Sequence, residues 1–238
     1  MNFLPLLSTI VSFGFTSAVL RRYLLKRGPH LLLWAAGLAL YSLGTLSEVI
    51  LSLGFNGPVL KLWYLCGAML TAAWLGQGTL HLLLRKGRLA WWLTAGLGLI
   101  SLLSLVLIVA APLTSASASF QPSAPVSTQY KAILVRSSMI TILTILFNIY
   151  GTLTMVGGAI YSSYLFWRKQ VLIQRVIGNI LIAAGALFPA MAGSFIKAGL
   201  VDMLYVSELL GAVLMFAGFL LSTAQPASQP ARAPNPAA

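Results

Sequence analysis

Acidic residues are nearly missing from this 238-residue sequence: Glu48, Asp202 and Glu208 are the whole supply, against fifteen lysines and arginines. So few acids exclude the carboxylate cluster of a two-metal site. Cysteine occurs once, as Cys66, so no intramolecular disulfide can form; inside an apolar run it reads as a small buried hydrophobe. Histidine occurs twice, and there is no His-Glu-x-x-His, no Gly-x-Ser-x-Gly and no phosphate-binding glycine loop. His30 and His81 fall near the same end of their helices, where a bis-histidine haem or a metal would need them, but two ligands so near a surface are thin support for either. No catalytic activity, metal or cofactor is expected.

Charge of any kind is scarce: 8% of residues are charged and 59% hydrophobic, with a mean hydropathy of +0.92. That mixture excludes a soluble domain. The net charge of +12 would point to nucleic acid in a soluble chain, but here the basic residues fall almost entirely between apolar runs. Their expected role is to orient the chain in a lipid bilayer, with no nucleic-acid partner.

What the sequence has is long apolar runs. Seven can be marked off, at 3–20, 31–55, 62–84, 89–112, 138–167, 176–196 and 203–222. Each is long enough for a hydrocarbon core of about 30 Å at about 1.5 Å per residue. The first has its positive residues after the apolar part and no clear cleavage site, so it is expected to be retained as a span. The expected architecture is an all-α integral membrane protein, a seven-transmembrane-helix bundle over residues 1–222. Arg21, Arg22, Lys26, Arg27, Arg85, Lys86, Arg88, Arg168, Lys169, Arg175 and Arg232 lie on one side, and Lys61, Lys131, Arg136 and Lys197 on the other. Eleven against four puts the N-terminus outside and the C-terminus in the cytoplasm of a multi-pass cell-membrane protein. Trp63, Tyr64, Trp91, Trp92 and Trp167 then fall near interfaces. The Ser/Ala/Pro-rich segment 113–130 reads as a mobile external loop, and 223–238, with four prolines, as a disordered cytoplasmic tail.

Within run 31–55, Gly37, Tyr41, Gly44 and Glu48 follow at offsets of 4, 7 and 11, so all four share one helix face. A carboxylate in lipid is costly and turns toward protein. Glu48, Asn148 and Glu208 all come roughly 10 Å below the outer surface at about 1.5 Å per residue, and with Tyr41 they form a candidate ligand or ion site. Two carboxylates meeting there would repel unless a proton or cation lay between them. The competing expectation is that each acid neutralises Arg136, Lys61 or Lys197. Gln77, Asn179 and His81 form a candidate inner polar layer, with Trp74 on the Gln77 and His81 face as packing.

Glycines seven apart recur in four runs: Gly37 and Gly44, Gly151 and Gly158, Gly178 and Gly185, Gly211 and Gly218. Small residues on one face let helix backbones approach, so these are expected packing seams. A shift of 141 superimposes Gly37 on Gly178, Gly44 on Gly185 and Tyr64 on Tyr205, as a 3+1+3 parallel repeat would require. That pattern resembles sugar-transporting seven-helix proteins, although the hinge prolines of such helices are mostly missing and Pro189 alone stands in the sixth run. Retinal proteins are matched in helix count only, since the seventh run has no lysine. The function expected is non-catalytic binding, transport or sensing of a small solute or ion at the outward-facing site. The alternative is an accessory subunit that meets a membrane-protein partner, or a second copy of itself, through its glycine-lined faces.

Overall fold

In a computed structural model, residues 3–84, 88–168, 173–199 and 202–223 are described. The expectations for Arg85, Lys86, Lys169, Arg232 and the tail beyond Thr223 lie outside them. The elements are helices α1 (Leu4–Lys26), α2 (Pro29–Leu51), α3 (Gly57–Trp63), a π-helical stretch (Tyr64–Leu70), α4 (Thr71–Leu83), α5 (Leu89–Ala110), a 3₁₀ turn (Ser115–Ser119), α6 (Val126–Ile133), α7 (Ser138–Arg168), α8 (Ile173–Lys197) and α9 (Asp202–Thr223). Among the described residues six rods are long and apolar enough to cross a membrane: α1, α2, the continuous Gly57–Leu83, α5, α7 and Met203–Thr223. The remaining expected crossing falls on α8, whose apolar part is the shorter Ile173–Pro189. The chain is a multi-pass helical membrane protein. Its lipid-facing residues include Leu99, Leu102 and Val109 on α5 and Ile145, Ile149 and Leu153 on α7, all exposed.

Local signals set the rod ends. α1 stops where Arg27 turns left-handed (φ 52°) and returns its N–H to the Tyr23 carbonyl. Gly28 and Pro29 then open α2, with the proline where no helical N–H is needed. Asn56 caps α3 by accepting the Val59 N–H at 3.1 Å.

All the long helices except α5 close into a ring, with α8 among them. α1 packs beside α2, α2 beside α4 and the π stretch, α4 beside α7, α7 beside α8, α8 beside α9, and α9 back against α1, while α5 leans on the outside of α4. The seven-spaced glycines are where backbones meet. An alanine Cβ at Gly44 would sit 2.7 Å from Gly67 Cα, and one at Gly37 2.8 Å from Leu75 N. At Gly178 and Gly185 it would meet the Gly218 and Gly211 carbonyl oxygens at 2.6 and 2.8 Å. Gly151 and Gly158 lie against Ala72 and Thr79 of α4. The ring centre is a cavity of about 30 Å³ lined by Phe15, Leu38, Leu75, Met155, Ile182 and Met215, among others, with no polar atom exposed to it. A water would fit but find no partner, so the cavity stays dry.

The segment expected to be a mobile loop is instead a folded cap. Leu113 and Leu134 form an antiparallel bridge, with Thr114 N donating to Ile133 O at 2.9 Å. Val126, Ile133 and Leu134 are buried against Leu51, Leu60, Trp63 and Ile108, so apolar burial fixes what composition alone would leave loose. Inside the cap, Gln129 Oε1 accepts from Gln121 N at 2.8 Å, and its Nε2 donates to the Gln121 and Ala124 carbonyls at 2.9 and 3.1 Å. Gln129→Ala removes this hub, and the cost of unmet backbone groups, about 1–3 kcal/mol, falls on the cap alone. Chymotrypsin should then cut after Phe120 about tenfold faster while the bundle unfolds at an unchanged temperature. Equal cutting rates would mean that the hub does not hold the cap.

Candidate functional site

Glu48 lies on α2 one turn from its end and is 3% exposed. Trp63 closes α3 and donates its indole N–H to Glu48 Oε1 at 2.8 Å. Glu208 arrives from α9, its carboxyl within hydrogen-bonding reach of that of Glu48. Tyr41 donates its hydroxyl to the Glu208 backbone carbonyl at 2.9 Å, and Tyr205, one turn earlier on α9, is buried beside both acids. The second oxygen of each acid, Oε2, is buried and meets no donor. Carboxylates are acceptors only, so two of them face to face need a proton or a cation between them.

Neither of the described counter-charges is spent on the acids. Lys61 Nζ donates to the Val109 carbonyl at 2.7 Å, where the carbonyls at the end of α5 favour a cation. Arg136 lies over the rings of Tyr130 and Tyr64, 5.1 and 5.9 Å from their centroids. The side chain of Lys197 is outside the described residues. Among the described residues no basic side chain acts on either acid; the titratable groups facing them are Tyr41 and Tyr205. Above the site Tyr130 packs on Trp63 with ring centroids 5.3 Å apart, so the cap closes over the indole that holds Glu48. Burial pushes the Tyr130 phenol above its ordinary pKa, against the pull of Arg136, so the ring lies neutral under the guanidinium.

The structure brings Glu48, Glu208 and Tyr41 together and engages Asn148 elsewhere. The Asn148 amide donates to the Ala68 carbonyl at 2.9 Å and to the Thr144 carbonyl at 2.8 Å. Ala68 sits in the π stretch, whose wide turns displace carbonyls from the ordinary ladder. Thr71 meets a second one, with its hydroxyl 2.7 Å from the Cys66 carbonyl. Asn148 therefore satisfies the backbone of the rod that presents Trp63.

Gln77 and His81 form a separate cluster outside the ring. Gln77 is fully buried, accepts from Tyr150, and donates to the Ala90 carbonyl at 3.0 Å and to Thr94 Oγ1 at 2.8 Å. His81 Nε2 lies 2.7 Å from the same hydroxyl, with Trp91 edge-on to its ring. Trp74 adds a bond to Ser101 at 3.2 Å. These bonds tie α5 to α4. Asn179, half-buried on α8, makes no side-chain hydrogen bond among the described residues.

Trp63, Tyr205 and the π stretch are the parts of the site that sequence patterns miss. An interfacial tryptophan signals lipid contact, and only the hairpin of α2 on α3 turns it toward an acid. No family model, no curated protein and no solved structure matches the chain. Among the described residues no three His, Cys, Asp or Glu side chains gather as a metal centre would require.

Proposed function

We propose that this protein is a non-catalytic carrier or sensor in a cell membrane that binds a small cation, a proton included, at the Glu48 and Glu208 pair. One observation carries this reading: two buried carboxyls within reach of each other, each with an oxygen lacking a donor, and no base among the described residues to neutralise them. Such a pair with nothing between is expensive in a medium of low dielectric constant. The charge asymmetry of the connecting segments supports an orientation with the cap outside, so the pair would open outward. The apolar cavity deeper in the ring interrupts any polar path, which suits a one-sided or gated site better than a channel.

The arrangement also supports the 3+1+3 reading. The ring order places α1, α2 and α3–α4 opposite α7, α8 and α9 with α5 outside, and the crossing at Gly44·Gly67 and Gly37·Leu75 recurs at Gly185·Gly211 and Gly178·Gly218.

The test is thermal unfolding of the purified protein across pH and across lithium, sodium, potassium and calcium salts, for wild type and for the double variant Glu48→Gln, Glu208→Gln. The wild-type midpoint is expected to move by at least about 2–4 °C, corresponding to about 1 kcal/mol, with one of these cations or with pH. The double variant should be flat. Equal responses in the two proteins would sink the reading.

A further inference from the structure

A third oxygen without a partner lies at the level of the two acids. Buried hydroxyls in this bundle commonly return to a carbonyl three or four residues back: Thr9 to Pro5, Ser12 to Thr9, Thr16 to Ser12, Ser42 to Leu38 and Ser47 to Leu43. Ser8 does not. It has no exposed surface, and its Oγ has no hydrogen-bond partner. In a helix a serine reaches its own backbone at small cost, so a fully buried hydroxyl left unbonded calls for an explanation.

Two registers place it. Along the seam of α1 and α2, Thr16 Oγ1 meets Ser42 Oγ at 3.1 Å and Ser12 Oγ meets Thr45 Oγ1 at 3.4 Å. The helices are antiparallel, so one further turn on each sets Ser8 level with Glu48. Along α1 and α9, Phe15 stacks on Phe216 and tilts against Phe219, with centroids 5.0 and 5.6 Å apart. The acids meet at one level of α2 and α9, while Leu38 and Met215 meet at the cavity below, so α9 is antiparallel to α2 and parallel to α1. Two turns back from Phe15 is Ser8, and two turns back from Phe216 is the turn of Glu208. Residues seven apart share a face, so Ser8 is on the side of α1 from which Phe15 meets α9.

We infer that Ser8 Oγ, Glu48 Oε2 and Glu208 Oε2 are the protein ligands of a monovalent cation of the size of sodium; this rests on the reading of the acid pair as a cation site. Three oxygens from three helices, all shut from solvent, come to one level, and Ser8 is bonded to neither acid, so a cation held by the acid pair would find a third oxygen ligand beside it. Hard oxygen ligands without His or Cys exclude the softer transition metals. Calcium collects six to eight oxygens and magnesium dehydrates reluctantly, whereas a sodium ion gives up its water at much smaller cost, as a dry interior with few protein oxygens requires. The Trp63 N–H on Glu48 Oε1 stabilises the negative charge that a monovalent ion leaves over.

The experiment titrates sodium into the full-length protein at fixed pH, with choline chloride holding ionic strength, and reads the unfolding midpoint. Wild type should gain stability along a saturable curve. Ser8→Ala, which removes an unbonded hydroxyl and should fold normally, is expected to weaken the apparent sodium affinity about tenfold or more with the choline baseline unmoved. Ser8→Thr, which restores a hydroxyl, should recover most of it. An unchanged sodium affinity in Ser8→Ala removes Ser8 from the site. A wild type that answers to protons or calcium but not sodium overturns the monovalent assignment while leaving the acid pair a cation site. No response to any cation overturns both.

Discussion

Gly151→Ala is expected to cripple folding, although it adds a single methyl group to a transmembrane helix. The Cβ would land on the Ala72 carbonyl group and 2.6 Å from Ala73 N, in the backbone of α4, where no rotamer can relieve the overlap. Separating α4 from α7 is the remaining way out, and that opens the main seam between the two halves of the ring. Overpacking of this kind costs about 3 kcal/mol. The control sits six residues along the same helix. A Cβ added at Gly157 would have nothing within 4 Å and would face outward, so Gly157→Ala should be neutral or gain up to about 1 kcal/mol from helix propensity. Monodisperse yield and unfolding midpoint of the two variants, side by side, check this. Similar behaviour would mean that α4 and α7 do not meet as described.

Trp63→Phe should be nearly as damaging, for an electrostatic reason. The indole N–H is the one N–H donor to the Glu48 carboxyl among the described residues, and Glu48 is 3% exposed. A phenyl ring keeps most of the packing on Tyr130 but leaves the carboxyl without an N–H donor, facing Glu208 alone. Losing a buried hydrogen bond to a charged group costs about 2–3 kcal/mol, or roughly 5–10 °C in midpoint. The same loss makes Glu48 depend more on whatever lies between it and Glu208, so the stabilisation by cation or proton should grow in Trp63→Phe as the unliganded baseline falls. If the baseline falls without that growth, the indole supports the fold alone and has no bearing on the pair.

How far the site could be read in advance differs residue by residue. Glu48 and Glu208 stand out in sequence because an acid in an apolar run has to find protein, and equal depth on their helices makes a meeting possible. Asn148 has the same depth and the same kind of glycine face, yet it serves the Ala68 carbonyl, because depth along an axis says nothing about which neighbour a helix turns to. Gln77 and His81 do meet, at the Thr94 hydroxyl, but without Asn179: both sit on the α5 side of α4, and α5 lies outside the ring. The π stretch carries no proline, and its two displaced carbonyls are met by Thr71 and Asn148, one of them from another helix.

The class of molecule follows from residue order and composition, since apolar runs with so few charges can be satisfied only as helices in lipid. The seams follow from them too, because paired glycines leave room for a backbone and little else. Helix packing in three dimensions settled which seam meets which, that α5 stands apart, that segment 113–134 folds over Trp63, and that Glu48 faces Glu208 and not Lys61 or Arg136. Those outcomes depend on the rotation of each helix about its axis and on the order around the ring. Both are set by many weak side-chain contacts between distant stretches of chain, and a hydrophobic pattern that is nearly uniform around each helix does not encode them.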